Sequence, residues 1–393
     1  MNVCYICNEY PEGPHGGVGT MTKLLAEELC RRKHLVKVIG VYDLSYPSEE
    51  FELKNGVEIT RIKINYKNRI SVVIGNLKMA RKIRTWINKN EIDIIEAPDS
   101  YGIFSLFANF KRPLILRANG NNTYFSSILN IPLKKNTAFY ERNLYRKAFG
   151  YCAVSNFTAN KMKALFLIKD PISVIYNAVE MPDMRGNQIV ETEGFRKISE
   201  FSNPIVFSGT LTPKKGIYEL VNSVIILLEK GIDVTLLING KDSVNINTGQ
   251  SVQKELLALI PLKFKNNIVF NGHVTRNELM CQYKSAKVAI FPSFAEAFAF
   301  APMEAMAAGI PTIFSKDCSG EELINDKEDG LLIDPSNLDT MVQAMEYILL
   351  NPEKAAQIAE KGKEKIRLQF SKELMANKSI EFYGTIITKF FDN

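Results

Sequence analysis

Two glutamates eight positions apart, Glu296 and Glu304, stand in the stretch 286–315, which reads AKVAIFPSFAEAFAFAPMEAMAAGIPTIFS. A carboxylate accepts hydrogen bonds from a pair of hydroxyls, so both residue types suit a sugar or a ribose. Residues 286–291 are apolar and include Val and Ile, which predicts a strand buried on both faces of a parallel sheet. A loop over 292–300 follows, then a helix over 303–308 with Pro302 in its first turn, a stop at Gly309 and Pro311, and a second strand over 310–314. Such a strand, loop and helix N-terminus offer unpaired backbone N–H groups at the positive end of the helix dipole, a setting for a phosphate. Glu296 is expected in the loop and Glu304 in the first helical turn. Together they suit a phosphorylated sugar or a nucleotide. Singly, Glu304 would only complement the helix dipole and Glu296 would be a solvated loop charge.

Three other loops carry groups of the same kind. Gly209-Thr-Leu-Thr-Pro-Lys-Lys-Gly216 lies between a strand at 204–208 and a helix at 217–230. Lysines at such a turn, Lys214 and Lys215, supply point charges for a phosphate. Between a strand at 3–7 and a helix at 21–32, Pro11-Glu-Gly-Pro-His-Gly-Gly-Val-Gly-Thr20 would let a ligand approach the backbone closely at Gly16 and Gly17. It is not the G-x-G-x-x-G fingerprint of a nicotinamide site. The loops 97–102 and 118–123 follow further strands at 92–96 and 113–117, at the sheet ends where such folds bind ligands.

Phe-Pro-Ser, Glu296-Ala-Phe and Pro-Met-Glu304-Ala-Met-Ala-Ala-Gly-Ile-Pro together resemble the signature of the family 4 retaining glycosyltransferases of the GT-B fold. The resemblance implies that Glu304 holds the ribose hydroxyls of a nucleoside diphosphate sugar. It also implies that Glu296 contacts the transferred sugar, and that the backbone between them, at Phe298, Ala299 and Phe300, binds phosphate. It extends to Gly16-Gly17, placed near donor phosphates and acceptor, to Lys215 on the diphosphate, and to 319–324 and 329–335. The sequence departs from the family pattern in four places. Ala297 and Ala299 stand where glycine is usual, Thr210 where an arginine is usual, and Asn119 where a histidine is usual. Asn119 can hydrogen-bond a sugar hydroxyl but cannot take a proton.

The elements that must position these groups form an α/β chain. Apolar strands alternate with longer helical patterns, the order of parallel α/β units. With 393 residues and about 150 per domain, two domains are expected. The resemblance implies GT-B: two Rossmann-like doubly wound domains facing each other across a cleft. An acceptor-side domain would span 1–190 plus a returning helix at 370–393, and a donor-binding domain 201–369, with the linker at 183–202. Hydrophobic residues make up 46% of the chain and charged residues 23%, an ordinary globular composition. The net charge of +6 fits anionic substrates or a membrane surface and is too small to argue for nucleic acid. Six cysteines are scattered, and the one C-x-x-C pair, Cys4 and Cys7, has no second pair to complete a zinc site. No signal peptide and no apolar run near 18 residues is present, so the expected location is cytoplasmic, at most peripheral at the inner face of the plasma membrane.

The segment 71–90 combines apolar Val73, Leu77, Ala80, Ile83 and Ile87 at helical spacing with Lys78, Arg81, Lys82 and Arg84. Such a helix either rests on anionic lipid or docks on the sheet with a solvated outer face. The chain contains no D-x-D triplet, the usual mark of a metal-assisted leaving diphosphate. The expectation is therefore metal-independent, retaining transfer of a sugar from a nucleoside diphosphate sugar to a saccharide or lipid-linked acceptor in bacterial surface polysaccharide assembly. Glu296, Lys215 and Asn119 are the expected catalytic residues, with no cofactor. The alternatives are another GT-B enzyme, an epimerase or a phosphorylase, and a non-catalytic sugar-binding protein.

Overall fold

A computed structural model of the chain describes residues 1–182 and 201–392, so the expected linker at 183–202 lies almost wholly outside the described residues. The chain divides into two compact units: Met1–Ala178 with Lys372–Asn393, and Val179–Ser371.

The first unit contains β1 (Asn2–Ile6), α1 (Gly17–Arg31), β2 (Leu35–Asp43), β3 (Phe51–Lys54), β4 (Val57–Ile64), α2 (Arg69–Asn88), β5 (Ile94–Pro98), β6 (Leu114–Ala118), α3 (Asn122–Leu129), α4 (Lys135–Lys147), β7 (Gly150–Ala153), α5 (Asn156–Phe166) and β8 (Ser173–Val174). Its sheet has the order β3-β4-β2-β1-β5-β6-β7-β8. Every pairing is parallel except β3 with β4. That hairpin is absent from the sequence reading, which looked for wholly apolar runs. Here apolar and charged residues alternate, as on a sheet margin, and the turn is Asn55-Gly56, both at positive φ, as a tight hairpin requires. The parallel strands β1, β5 and β6 are apolar because helices cover both faces. One ion pair is buried among them: Arg117 Nε donates to Glu96 Oε1 at 2.7 Å, and both side chains are under 5% exposed. The C-terminal helix α13 (Lys372–Asp392) joins this unit, where the Tyr383 hydroxyl donates to Glu96 Oε2 at 2.6 Å and pairs with the Tyr5 hydroxyl at 2.9 Å. A buried carboxylate is tolerable only with its lone pairs satisfied in this way.

The second unit runs β9 (Pro204–Ser208), α6 (Ile217–Glu229), β10 (Thr235–Asn239), α7 (Val252–Leu259), β11 (Ile268–Gly272), α8 (Arg276–Ser285), β12 (Val288–Phe291), α9 (Phe300–Ala307), β13 (Thr312–Ser315), α10 (Gly320–Leu323), β14 (Leu331–Ile333), α11 (Leu338–Leu350) and α12 (Pro352–Gln369). Its sheet, β11-β10-β9-β12-β13-β14, is parallel throughout. The core lies between this sheet and the inward faces of α6 and α11, through Leu220, Val224, Met341 and Met345 among others.

Both units are thus doubly wound, and in each the strand order reverses once near the centre, between β1 and β5 and between β9 and β12. At such a reversal the loops leaving the two strands diverge and open a crevice at their carboxyl ends. The loops after β9 and β12 hold Lys215 and Glu296; the loop after β1 ends at Gly16, with Gly17 opening α1, and the chain leaving β5 begins at Asp99.

Candidate active site

In the second unit the loop 209–216 is fixed from both sides. Gly209 N donates to Asn239 O at 2.9 Å and Leu211 N to Lys241 O at 2.9 Å, tying it to the chain after β10. Pro213–Lys215 then makes one 3-10 turn, and Gly216 leaves it at φ 67°. A Cβ at Gly216 would lie 1.9 Å from Pro292 O, so only glycine allows this loop to meet the loop after β12. Phe294 N donates to Lys214 O at 2.9 Å and completes the joint.

This joint sets Lys215 Nζ to donate to Glu296 Oε1, with the two side chains 25% and 12% exposed. Burial pushes the Glu296 carboxyl up, but the charges of Lys215 and Lys214 and hydrogen bonds from Lys215 and Ser293 outweigh it, and its pKa falls below the usual range. Lys214 is itself pushed down, chiefly by burial. The result is a carboxylate held ionised beside two lysines.

Helix α9 opens next to this pair. Its N-cap is Ala299, at φ −78° and ψ 134°, and no side chain caps it. Its first-turn amides therefore have no intrahelical partner and no cap, which leaves them to a ligand. Neither Ala297 nor Ala299 has a positive φ, so alanine is unstrained where glycine is usual. Phe298 is buried, its ring centroid 5.5 Å from that of Phe370, so its side chain is a packing group and only its backbone can serve a donor. Phe300 is half-buried, and Thr210 is exposed.

One position differs from the sequence expectation. The helix begins at Phe300, so Pro302 is its third residue and Glu304 its fifth, in the second turn and not the first. A proline is accommodated there because the first amides of a helix have nothing to bond within it. Being deeper, Glu304 does not work as a dipole-complementing residue. Burial raises its pKa, opposed by the charge of Arg276 on α8. Tyr283, also on α8 and buried, is pushed well up by burial and, to a lesser extent, by the charge of Glu304. Sequence reasoning missed Arg276 and Tyr283, and quoted Ser293 only as part of the Phe-Pro-Ser motif, with no role of its own. The capping box of Thr275 with Glu278, which marks the start of α8, was the available signal for that helix.

In the first unit, helix α1 starts at Gly17 with Gly16 as its N-cap. Glu9, in the chain leaving β1, accepts a hydrogen bond from Gly19 N at 2.9 Å. A Cβ on Gly16 would stand 3.4 Å from the same oxygen. The positive end of α1 is thus already met by a carboxylate of the protein itself. Past β5, Asp99 is fully buried; its Oδ1 accepts from Asn119 N at 3.0 Å and its Oδ2 from the Tyr145 hydroxyl at 3.2 Å. Burial, with the Glu141 charge adding, lifts its pKa to about 7 against the Asn119 hydrogen bond. Asn119 Nδ2 donates to Arg117 O at 3.1 Å, so its amide is turned back toward its own strand. The two strand-end loops singled out by position are joined through Asp99, which sequence reasoning placed in a loop but assigned no role.

Comparisons with known proteins bear on the family and the fold. Residues 15–181 match the family model described as Glycosyltransferase Family 4, and residues 191–365 that described as Glycosyl transferases group 1. An uncharacterized glycosyltransferase of Methanocaldococcus jannaschii is 26% identical over 98% of both chains. The capsular polysaccharide biosynthesis glycosyltransferase CapM of Staphylococcus aureus is 23% identical over 50% of this chain and 49% of its own. Among solved structures, the Anabaena protein HepE in complex with UDP-glucose superposes with a TM-score of 0.72 at 15% identity, covering 98% of this chain and 99% of that one. Two doubly wound parallel units and family models that between them take in most of the sequence make one conclusion: the chain belongs to the group 1, family 4 glycosyltransferases and has the GT-B fold.

Proposed function

We propose that the protein moves a sugar from a nucleoside diphosphate sugar to a hydroxyl of a saccharide or lipid-linked acceptor, with retention of configuration, without a metal, in bacterial surface polysaccharide assembly. The observation that carries this reading is the Lys215–Glu296 pair at the β9/β12 reversal, beside the uncapped start of α9. The diphosphate lies against those amides and Lys215, Glu296 receives hydroxyls of the transferred sugar, and Glu304, one turn deeper, receives those of the ribose. Gly16 and Gly17 give close backbone approach on the acceptor unit, and Asn119 hydrogen-bonds a hydroxyl there.

In the transfer, the bond from the anomeric carbon to the β-phosphate oxygen breaks and a bond from that carbon to the acceptor oxygen forms on the same face. The acceptor proton goes to the departing diphosphate. Lys215, Lys214 and the α9 amides hold the charge that develops on the leaving group, which is the task a metal would otherwise do. Asn119 takes no proton, so this reading assigns no base to that place. HepE in its UDP-glucose complex and the capsular role in the name of CapM support the donor class and the setting.

The test is a thermal-shift and hydrolysis screen against UDP-, GDP-, ADP- and dTDP-sugars, UDP-glucose first, with EDTA present. One nucleotide class should stabilise the protein and be released slowly as free nucleotide. Binding or release that requires a divalent ion would end the metal-independent reading. Conversion of the sugar with no nucleotide released would favour the epimerase alternative. Glu304→Ala should abolish the nucleotide shift; unchanged affinity would remove the role given to Glu304.

A further inference from the structure

Three side-chain amides meet at the carboxyl end of the second unit's sheet. Asn239, the last residue of β10, and Gln282 of α8 are each 1% exposed and exchange two hydrogen bonds. Asn239 Nδ2 donates to Gln282 Oε1 at 2.6 Å, and Gln282 Nε2 donates to Asn239 Oδ1 at 3.1 Å. Asn271 Nδ2 donates to the same Oδ1 at 2.8 Å. Asn271 reaches it through a bulge: β10 and β11 pair Ile238 with Phe270 and Asn239 with Gly272, so Asn271 is the extra residue, and Gly272 turns at φ 68°. Such a bulge interrupts the ladder and re-aims one side chain.

Strands β10 and β11 otherwise give Leu236, Ile238 and Ile268 to an apolar core. An apolar pair at 239 and 282 would hold α8 to the sheet as firmly, since a buried hydrogen bond gains little over the bonds to water that it replaces. What the amide ring adds is position. Apolar contacts tolerate small sliding of a helix, whereas two directional bonds in one closed ring fix α8 along its axis.

Asn239 also stands at the root of the Lys215 loop. Its carbonyl accepts from Gly209 N at 2.9 Å, and Gly240 N donates to Gly272 O at 2.7 Å. A Cβ at Gly240 would lie 1.8 Å from Gly209 O, so the two segments approach as closely as backbone allows. Arg276 and Tyr283 of α8 interact electrostatically with Glu304. Asn239 is thus bonded through its main chain to the loop of Lys215 and through its side chain to the helix that bears on Glu304. We infer that Asn239, Gln282 and Asn271 are positioning residues for a nucleoside diphosphate: they hold α8, and the nucleoside end of the site at Glu304, at a fixed distance from the diphosphate end at Lys215. What binds at each end rests on the proposed function.

The experiment measures the melting temperature of the full chain and its affinities for UDP, GDP, ADP, dTDP and inorganic diphosphate. Gln282→Met keeps the length of the side chain and strands the Asn239 amide. Asn239→Leu with Gln282→Met removes the whole ring, and Asn271, half-buried, then turns to water. The single variant should melt lower than the wild type. The double variant should regain the wild-type melting temperature, because replacing both partners by apolar groups of the same shape is nearly neutral. Both should bind the nucleotide about ten-fold more weakly and inorganic diphosphate within about two-fold of the wild type. Recovery of nucleotide affinity together with melting temperature would show that the amides only pack, and would overturn the inference. So would equal losses for nucleotide and diphosphate, which would mean that the whole site had moved. A wild type that binds none of the four nucleotides would overturn the donor reading itself, and this inference with it, so the two failures are told apart.

Discussion

Asp99 and Glu296 occupy corresponding places in their two units, each past the carboxyl end of a strand beside the reversal of strand order, and their ionisation is pushed in opposite directions. Asp99 is surrounded by an amide, a phenol and the charge of Glu141, and burial lifts its pKa to about 7. Glu296 is also pushed up by burial, but Lys215 and Lys214 pull it below the ordinary range. The same fold element has been built once without cations and once around two of them. The second arrangement is a place for an anion, and the first, where Glu9 already meets the α1 N-terminus, suits a neutral hydroxyl compound. Under the proposed function, that contrast is what separates the donor side from the acceptor side.

The largest way to break the contrast is to remove its cation. Lys215→Ala should lower kcat by two to three decades, about the loss seen when one donor to a developing charge is deleted. It also leaves Glu296 buried beside Lys214 alone, so the Glu296 pKa should rise. Steady-state kinetics with the donor found in the nucleotide screen checks this. A variant with kcat within a few-fold of wild type would mean that the leaving group is stabilised elsewhere.

The other side is tested through pH. A carboxyl whose pKa is higher folded than unfolded binds more protons in the native state, so stability falls as pH rises from about 4 to about 7. For Asp99 the shift corresponds to a ceiling of about 4 kcal/mol, and relaxation around the charge should leave roughly half of it. Asp99→Asn should flatten that part of the curve of stability against pH, whatever constant offset the altered hydrogen bonds to Asn119 and Tyr145 introduce. Glu296 has the opposite sign: its contribution is present above about pH 4.5 and lost as pH falls through its lowered value. Denaturant melts at pH 4, 5.5 and 7 read both. A slope that survives in the Asp99 variant would place the titrating group elsewhere.

Most of the second unit was legible because its signals are local. The apolar runs at 204–208 and 286–291, the helix stop at Gly309 and the carboxylates of the 292–304 stretch each stand within a few residues of what they imply. Gly309 does take the left-handed conformation such a stop needs, at φ 75°. What was not legible came from register and rotation. Glu304 fell one turn deeper because the helix begins before its proline, a choice made by the uncapped loop geometry at Ala299. Val73 is 39% exposed, although the helical spacing grouped it with Ile83 and Ile87, which are buried. Asp99 gained a partner in Asn119 only when two strands twenty residues apart became neighbours in the sheet. Each of these depends on contacts between segments distant in sequence, which a pattern along one segment does not contain. The β3–β4 hairpin is a different case: its Asn-Gly turn and alternation were plain, but the pattern sought was that of buried parallel strands.

A smaller effect sharpens the cationic side of the comparison. Thr210 is exposed in the loop after β9, where the family usually has arginine. Thr210→Arg adds a planar donor able to take two phosphate oxygens, and a charge-assisted hydrogen bond near the surface is worth about 1 kcal/mol. Donor affinity should therefore rise about five-fold, with kcat little changed. No gain would indicate that Lys214 already occupies the diphosphate position such an arginine would reach.

The smallest expected effect concerns Ala299, where glycine is usual. If the loop needed glycine for its conformation, alanine would be strained and Ala299→Gly would relieve it. The backbone at Ala299 is extended, at φ −78°, a region open to any residue, so glycine brings only extra freedom to the unfolded chain. The expected result is a loss of about 0.5–1 kcal/mol in stability, with donor affinity unchanged within two-fold. A methyl group standing where a phosphate oxygen must approach gives the contrary result: Ala299→Gly would then bind the donor markedly tighter in spite of its lower stability. Measuring the melt and the donor titration on the same variant separates the two, because conformational freedom acts on the first and steric access on the second.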